Sequence, residues 1–172
     1  MYSGKNVSFR TRALVLTALF AALSCAATLV VHIPSPTGGY MNLGDTVVLL
    51  GAYLLGGAYG AAAGALGSAL ADLISGAMVY VPATLVIKGL MALLASWLYR
   101  RLGERKTALL AAGAAAELVM VAGYWLCDSL LSASMTAALA GIPSNLIQAV
   151  FGIAASTLLQ APLKSALSRN KS

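Results

Sequence analysis

Lys88, Glu117, Asn145 and Gln148 stand in stretches otherwise almost free of polar side chains. An ionic or amide group in such a setting is costly unless it meets a partner or a cavity. Tyr80, Thr84 and Lys88 recur every four residues, Glu117, Tyr124 and Asp128 fall at i, i+7 and i+11, and Asn145 and Gln148 are three apart. Each set therefore shares one face of a helix. At 1.5 Å rise per residue, Lys88 lies about 10 Å and Glu117 about 15 Å below the same surface, so three polar faces meet at similar depth. Lys88 and Glu117 can pair with each other or reach one ligand together. A buried ion pair by itself is a poor stabiliser, because desolvation cancels much of its Coulomb gain. Apolar walls, aromatic rings and a few fixed polar groups are what a small-molecule pocket requires. The expectation is a pocket for a small, partly aromatic, hydrogen-bonding ligand.

The run Gly38-Gly39-Tyr40-Met41-Asn42-Leu43-Gly44-Asp45 joins flexible glycines to one aromatic and two polar side chains, and reads as a lid over the pocket mouth. Asp45 is expected to cap the helix that follows. The single histidine, His32, reads as interfacial. Cys25 and Cys127 fall inside apolar segments, without metal-ligand spacing, and read as buried thiols. The chain lacks GxxxxGK[ST], HExxH and GxSxG, so nucleotide hydrolysis and the common hydrolase constellations are not expected, and no cofactor is.

The elements that hold these faces follow from hydropathy. Sixty per cent of the 172 residues are hydrophobic and 9% charged, with mean hydropathy +0.87. About a quarter of an average soluble chain is charged, so a soluble domain is excluded. Residues 13–99 hold only Asp45, Asp72 and Lys88 as charged groups. The other basic residues gather in three clusters: Lys5, Arg10 and Arg12; Arg100, Arg101, Arg105 and Lys106; Lys164, Arg169 and Lys171. The net charge of +6 thus flanks apolar runs instead of lining one face, which argues against nucleic acid and for anionic headgroups.

Spans need about 20 apolar residues each. Six helices are expected, near 11–31, 43–55, 58–75, 82–99, 107–127 and 143–162, with breaks at Pro34/Pro36, Gly56-Gly57 and Gly76, and ends at Pro143 and Pro162. Residues 128–141 suggest a short interfacial helix. Six spans bring both termini and all three basic clusters to one side, which the positive-inside rule makes the cytoplasm. The reading is an all-α integral membrane protein, one compact six-helix transmembrane domain over 1–172.

Small residues let helices approach closely in lipid. Gly56, Gly60, Gly64 and Ser68 recur every four residues along helices two and three and read as helix–helix packing within the chain; Ala18, Ala22 and Ala26 recur likewise on helix one and are open to docking another membrane protein.

Residues 39–48 (GYMNLGDTVV), the glycine-rich run 60–67, Ser68-Ala69-Leu70-Ala71-Asp72-Leu73, and Tyr80-Val81-Pro82-Ala83-Thr84-Leu85-Val86-Ile87-Lys88-Gly89 together resemble the substrate-binding S component of an energy-coupling factor (ECF) transporter. The subfamily is the one assigned to hydroxymethylpyrimidine, pyridoxine or riboflavin. The resemblance covers nearly the whole chain, and helices five and six match in character only. It implies a vitamin-capture subunit in a prokaryotic plasma membrane that works with a membrane T component and two cytoplasmic ATPases, topples to release its cargo, and docks through Ala18, Ala22 and Ala26. The implied substrate contacts are Tyr40, Asn42, Tyr80, Thr84, Lys88, Glu117, Tyr124, Asn145 and Gln148, with Tyr80, Tyr124 or Trp125 stacking on the ring. Pyridoxine or hydroxymethylpyrimidine is favoured; riboflavin and thiamine remain alternatives. Two other classes stay open: a membrane enzyme using Glu117, Asp128 and His32, and a structural subunit without a ligand.

Overall fold

The computed structural model describes residues 4–37 and 39–169; Gly38 of the loop and Lys171 of the C-terminal basic cluster lie outside them. The helices are α1 (Gly4–Val30), α2 (Gly44–Leu54), α3 (Gly57–Ile74), α4 (Val81–Arg101), α5 (Lys106–Leu131), the short α6 (Met135–Ala138) and α7 (Ile142–Arg169). Turn chemistry sets several boundaries. Gly56 and Gly57 take positive φ between α2 and α3, and Pro82 sits in the first turn of α4, where its missing N–H costs nothing. Ser134 accepts the Ala137 amide at 3.2 Å to start α6, which falls within the 128–141 segment expected to hold a short helix, although α5 takes residues 128–131 of it.

Two expectations are corrected. The loop after α1 is not wholly irregular: strands β1 (Ile33–Pro34) and β2 (Tyr40–Met41) pair antiparallel, with Ile33 opposite Met41. And Pro162 does not end the last helix but lies within it, so α7 continues to Arg169. The missing Pro162 N–H costs one ladder bond, which a helix of 28 residues absorbs.

Contacts run α1–α3–α4–α5–α7, with α2 in the middle against α1, α3, α4 and α7. No residue of α2 is exposed. Among the described residues, four helical stretches are long and apolar enough to cross a bilayer: Arg10–Val30, Met78–Arg101, Lys106–Leu131 and Met135–Ser168. Helix α2, at 11 residues, is shorter, about 16 Å at 1.5 Å per residue. Helix α3 packs through its glycines. A Cβ at Gly60 would stand 2.8 Å from the Gly51 carbonyl oxygen, and one at Gly64 2.9 Å from Val48. Beyond them, Ser68 Oγ meets Ser24 Oγ of α1 at 3.3 Å. The core fills with Leu49, Ala52, Met91, Ala95, Ala112, Ala116 and Met120.

The basic clusters share one end of the bundle. The Arg100 guanidinium lies over Gly56, Arg12 donates to the Leu167 carbonyl at 2.6 Å, and Lys164 pairs with Glu104 at 3.0 Å. The β1–β2 loop closes the other end.

Candidate functional site

Beneath the β1–β2 loop lies a cavity lined by residues of α3, α4, α5, α7 and the loop itself. Its volume is about 420 Å³ with the open mouth included. Seven of the nine residues picked from sequence line it: Tyr40, Asn42, Tyr80, Thr84, Tyr124, Asn145 and Gln148. The helical periodicity that grouped them holds in part: Thr84 of α4, Tyr124 of α5 and Asn145 and Gln148 of α7 turn to the same space, with Tyr80 in the short turn just ahead of α4.

The loop is fastened on three sides. Tyr40 Oη donates to Asp72 Oδ1 at 2.5 Å, and the Tyr40 ring stacks on His32 with centroids 3.8 Å apart. Burial, reinforced by the Asp72 hydrogen bond, pushes the Tyr40 phenol above its ordinary range, so it remains a donor at neutral pH. Tyr80 Oη lies 3.2 Å from the Thr37 carbonyl oxygen and 2.9 Å from Asp128 Oδ1. Ser35 Oγ meets Ser144 Oγ at 3.1 Å, and the Asn42 amide donates to Gln148 Oε1 at 2.7 Å. Within the cavity wall, Thr84 Oγ1 and Tyr124 Oη are 2.9 Å apart.

Lys88 and Glu117 are not in the lining. They lie deeper, each 2% exposed, in a buried cluster with Asp45. Lys88 Nζ forms an ion pair with Asp45 Oδ1, which answers the question of its partner: neither Glu117 nor Asp72 holds it. Gln148 Nε2 donates to Asp45 Oδ2 at 2.6 Å, and the Lys88 ammonium sits 5.3 Å from the Tyr124 ring centroid. Asp45 was expected to cap α2, but the N-cap is Leu43 without a side-chain bond, and Asp45 points inward at 1% exposure. Glu117 packs against Gly152, where a Cβ would come 2.6 Å from its Oε1, and neither Glu117 oxygen has a hydrogen-bond partner among the described residues. Trp125 is also outside the lining; its Nε1 donates to the Met135 carbonyl at 3.3 Å.

Asp72, Asp128, Ser35, Thr37 and Gly39 also line the cavity without being among the nine, although Asp128 stands on the polar face of α5 that the sequence turns to the pocket. Asp72 gave a signal, being one of three charged groups in residues 13–99 and placed by the sequence just inside the outer surface, where a cationic ligand would meet it or Glu117.

A lidded polar cavity at one end of an apolar helical bundle, with basic residues at the other, defines a membrane-embedded binding protein. A family model described as ECF-type riboflavin transporter, S component, matches residues 8–165, and the chain belongs to that family. It is a membrane protein and a transport subunit, not an enzyme. S components capture a vitamin and work with a T component and ATPases. An uncharacterised Pyrococcus woesei protein from the gap 3′ region is 37% identical over 127 residues, covering 73% of this chain and 84% of its own. The fold is similar to that in a structure titled for the structure and mechanism of the S component of a bacterial ECF transporter. Its TM-score is 0.67 at 19% identity, over 92% of this chain and 98% of that one.

Proposed function

We propose that this chain captures a single-ring heteroaromatic vitamin or precursor, of the pyridoxine or hydroxymethylpyrimidine kind. The observation that carries this is the cavity: three tyrosines (Tyr40, Tyr80, Tyr124) and the amides of Asn42, Asn145 and Gln148 around a narrow space. Tyrosine faces suit a flat ring, and amides and carboxylates suit its hydroxyls and ring nitrogens. The placement of Lys88 and Glu117 shifts their part: Lys88 ties α4 to α2 through Asp45 beneath the ligand floor, and Glu117 packs beside them instead of contacting the ligand. Riboflavin is the second reading, favoured by the description of the matching family model; its larger ring system requires a wider displacement of the loop.

The bundle spans the membrane six times in this reading, with α2 and α3 counted as spans and both termini in the cytoplasm, beside the basic end. Opening of the β1–β2 loop admits the ligand from outside. Ala18, Ala22 and Ala26 are all exposed along α1, a flat strip onto which a T component docks, bringing two cytoplasmic ATPases.

Native mass spectrometry of the purified full chain, followed by titration with pyridoxine, hydroxymethylpyrimidine and riboflavin, tests the capture reading. A tightly bound single-ring compound is expected. Riboflavin alone would replace the first reading with the second, and no binding of any of the three would overturn both.

A further inference from the structure

The lining of the cavity has an imbalance of hydrogen-bonding groups. It contains two carboxylates, Asp72 and Asp128, and no lysine, arginine or histidine. The nearest ammonium, Lys88, is engaged by Asp45, and His32 is exposed and stacked on Tyr40. Most donors in the wall are already spent. Tyr40 gives its proton to Asp72, Tyr80 lies on Asp128 and the Thr37 carbonyl, Tyr124 and Thr84 are paired, and Gln148 uses its amide nitrogen on Asp45.

Asp72 is what this leaves over. Its side chain is only 5% exposed, and Oδ2 is buried with no hydrogen-bond partner among the described residues. The Thr84 hydroxyl, which pairs with Tyr124, also interacts with the carboxyl, without meeting hydrogen-bond geometry at Oδ2. Leaving a buried carboxylate oxygen unpaired is costly, and a donor brought to it forms one of the stronger classes of hydrogen bond.

We infer that Asp72 is the recognition carboxylate of the cavity: the captured ligand sets an N–H or O–H donor, protonated or neutral, against Asp72 Oδ2. This rests on the capture reading and narrows it. A ligand bearing a carboxylate or phosphate meets two negative side chains and no cation, so acidic vitamins and phosphorylated vitamers are rejected. Among neutral and cationic relatives of one ring system, an amine in place of a hydroxyl binds more tightly, because it brings charge to the carboxylate as well as a donor.

The test uses the full chain in lipid nanodiscs, titrated with pyridoxine and pyridoxamine, with hydroxymethylpyrimidine and its aminomethyl analogue, with pyridoxal phosphate, and with riboflavin. Wild type is expected to prefer the amine of a bound pair by about tenfold or more and to ignore the phosphate. Asp72→Asn is expected to bind about 10- to 100-fold more weakly and to lose the amine preference, at an unchanged melting temperature without ligand. If only riboflavin binds, the same loss on Asp72→Asn is the expected result. Should Asp72→Asn not fold, Tyr40→Phe takes its place: with Oδ1 also unpaired, amine preference is expected to rise. Binding with selectivity untouched by either variant overturns the role of Asp72 while leaving capture intact. Wild type that binds none of the compounds overturns the capture reading itself.

Discussion

At the residue scale, Asp45, Lys88 and Glu117 put two carboxylates and one ammonium in a space with no exposed atom of consequence. Removing one member of a buried ion pair leaves the other uncompensated, at about 3–5 kcal/mol. Lys88→Met and Asp45→Asn are therefore expected to lower thermal stability in detergent strongly. Glu117 differs, since no hydrogen bond holds it. Glu117→Gln keeps the shape while replacing the carboxyl by an amide, and its melting temperature is expected to equal or exceed that of wild type. A large loss would show that its charge balances Lys88. The polar faces of α4, α5 and α7 were legible because helical spacing fixes which residues look the same way. The pairing of Lys88 was not, because which helix lies opposite depends on the order of packing, and α2 in the centre places Asp45 within reach. Asp45 also mimicked a cap, as any aspartate in a first turn does.

At the element scale, α3 is held by backbone approach, and its glycines differ in what surrounds them. Gly60→Ala would press a methyl onto the Gly51 carbonyl and the Ala52 backbone, both under 3.0 Å from the new atom, neither able to swing away. A loss of about 1–3 kcal/mol is expected, as for overpacking generally. Gly89 on α4 is the control: its nearest neighbour would be the Ala65 methyl at 3.8 Å, an ordinary contact. Gly89→Ala should be neutral or stabilising by about 0.5–1 kcal/mol through helix propensity. Denaturation midpoints of the two variants check this, and equal effects would mean α3 is not clamped as described. The four-residue glycine spacing carried this information in the sequence. The β1–β2 pairing did not show, because two residues per strand give no period to read, and Pro162 misled because a proline late in a long helix looks the same as one that ends it.

At the scale of the whole molecule, the chain has a charged end and a lidded end, and the two proposed activities sit on different surfaces. Ala22→Leu adds bulk to the exposed strip of α1 far from the cavity lining. It is expected to abolish co-purification with T-component and ATPase subunits while vitamin affinity stays within about twofold, a difference of under 0.5 kcal/mol. Loss of both together would merge the surfaces. Orientation is checked by single cysteines in a background lacking Cys25 and Cys127. A thiol replacing Arg105 should react with a membrane-impermeant reagent only in inverted vesicles, and one replacing Thr136 only in whole cells.

The central helix has one more consequence. Because α2 is flanked by α1, α3, α4 and α7 and shows no exposed residue, lipid reaches little of it, and the length rule that lipid imposes on its neighbours is relaxed. Eleven residues suffice where about 20 would otherwise be needed. Any window tuned to full-length spans will pass over this segment, and with it the aspartate that pairs with the buried Lys88.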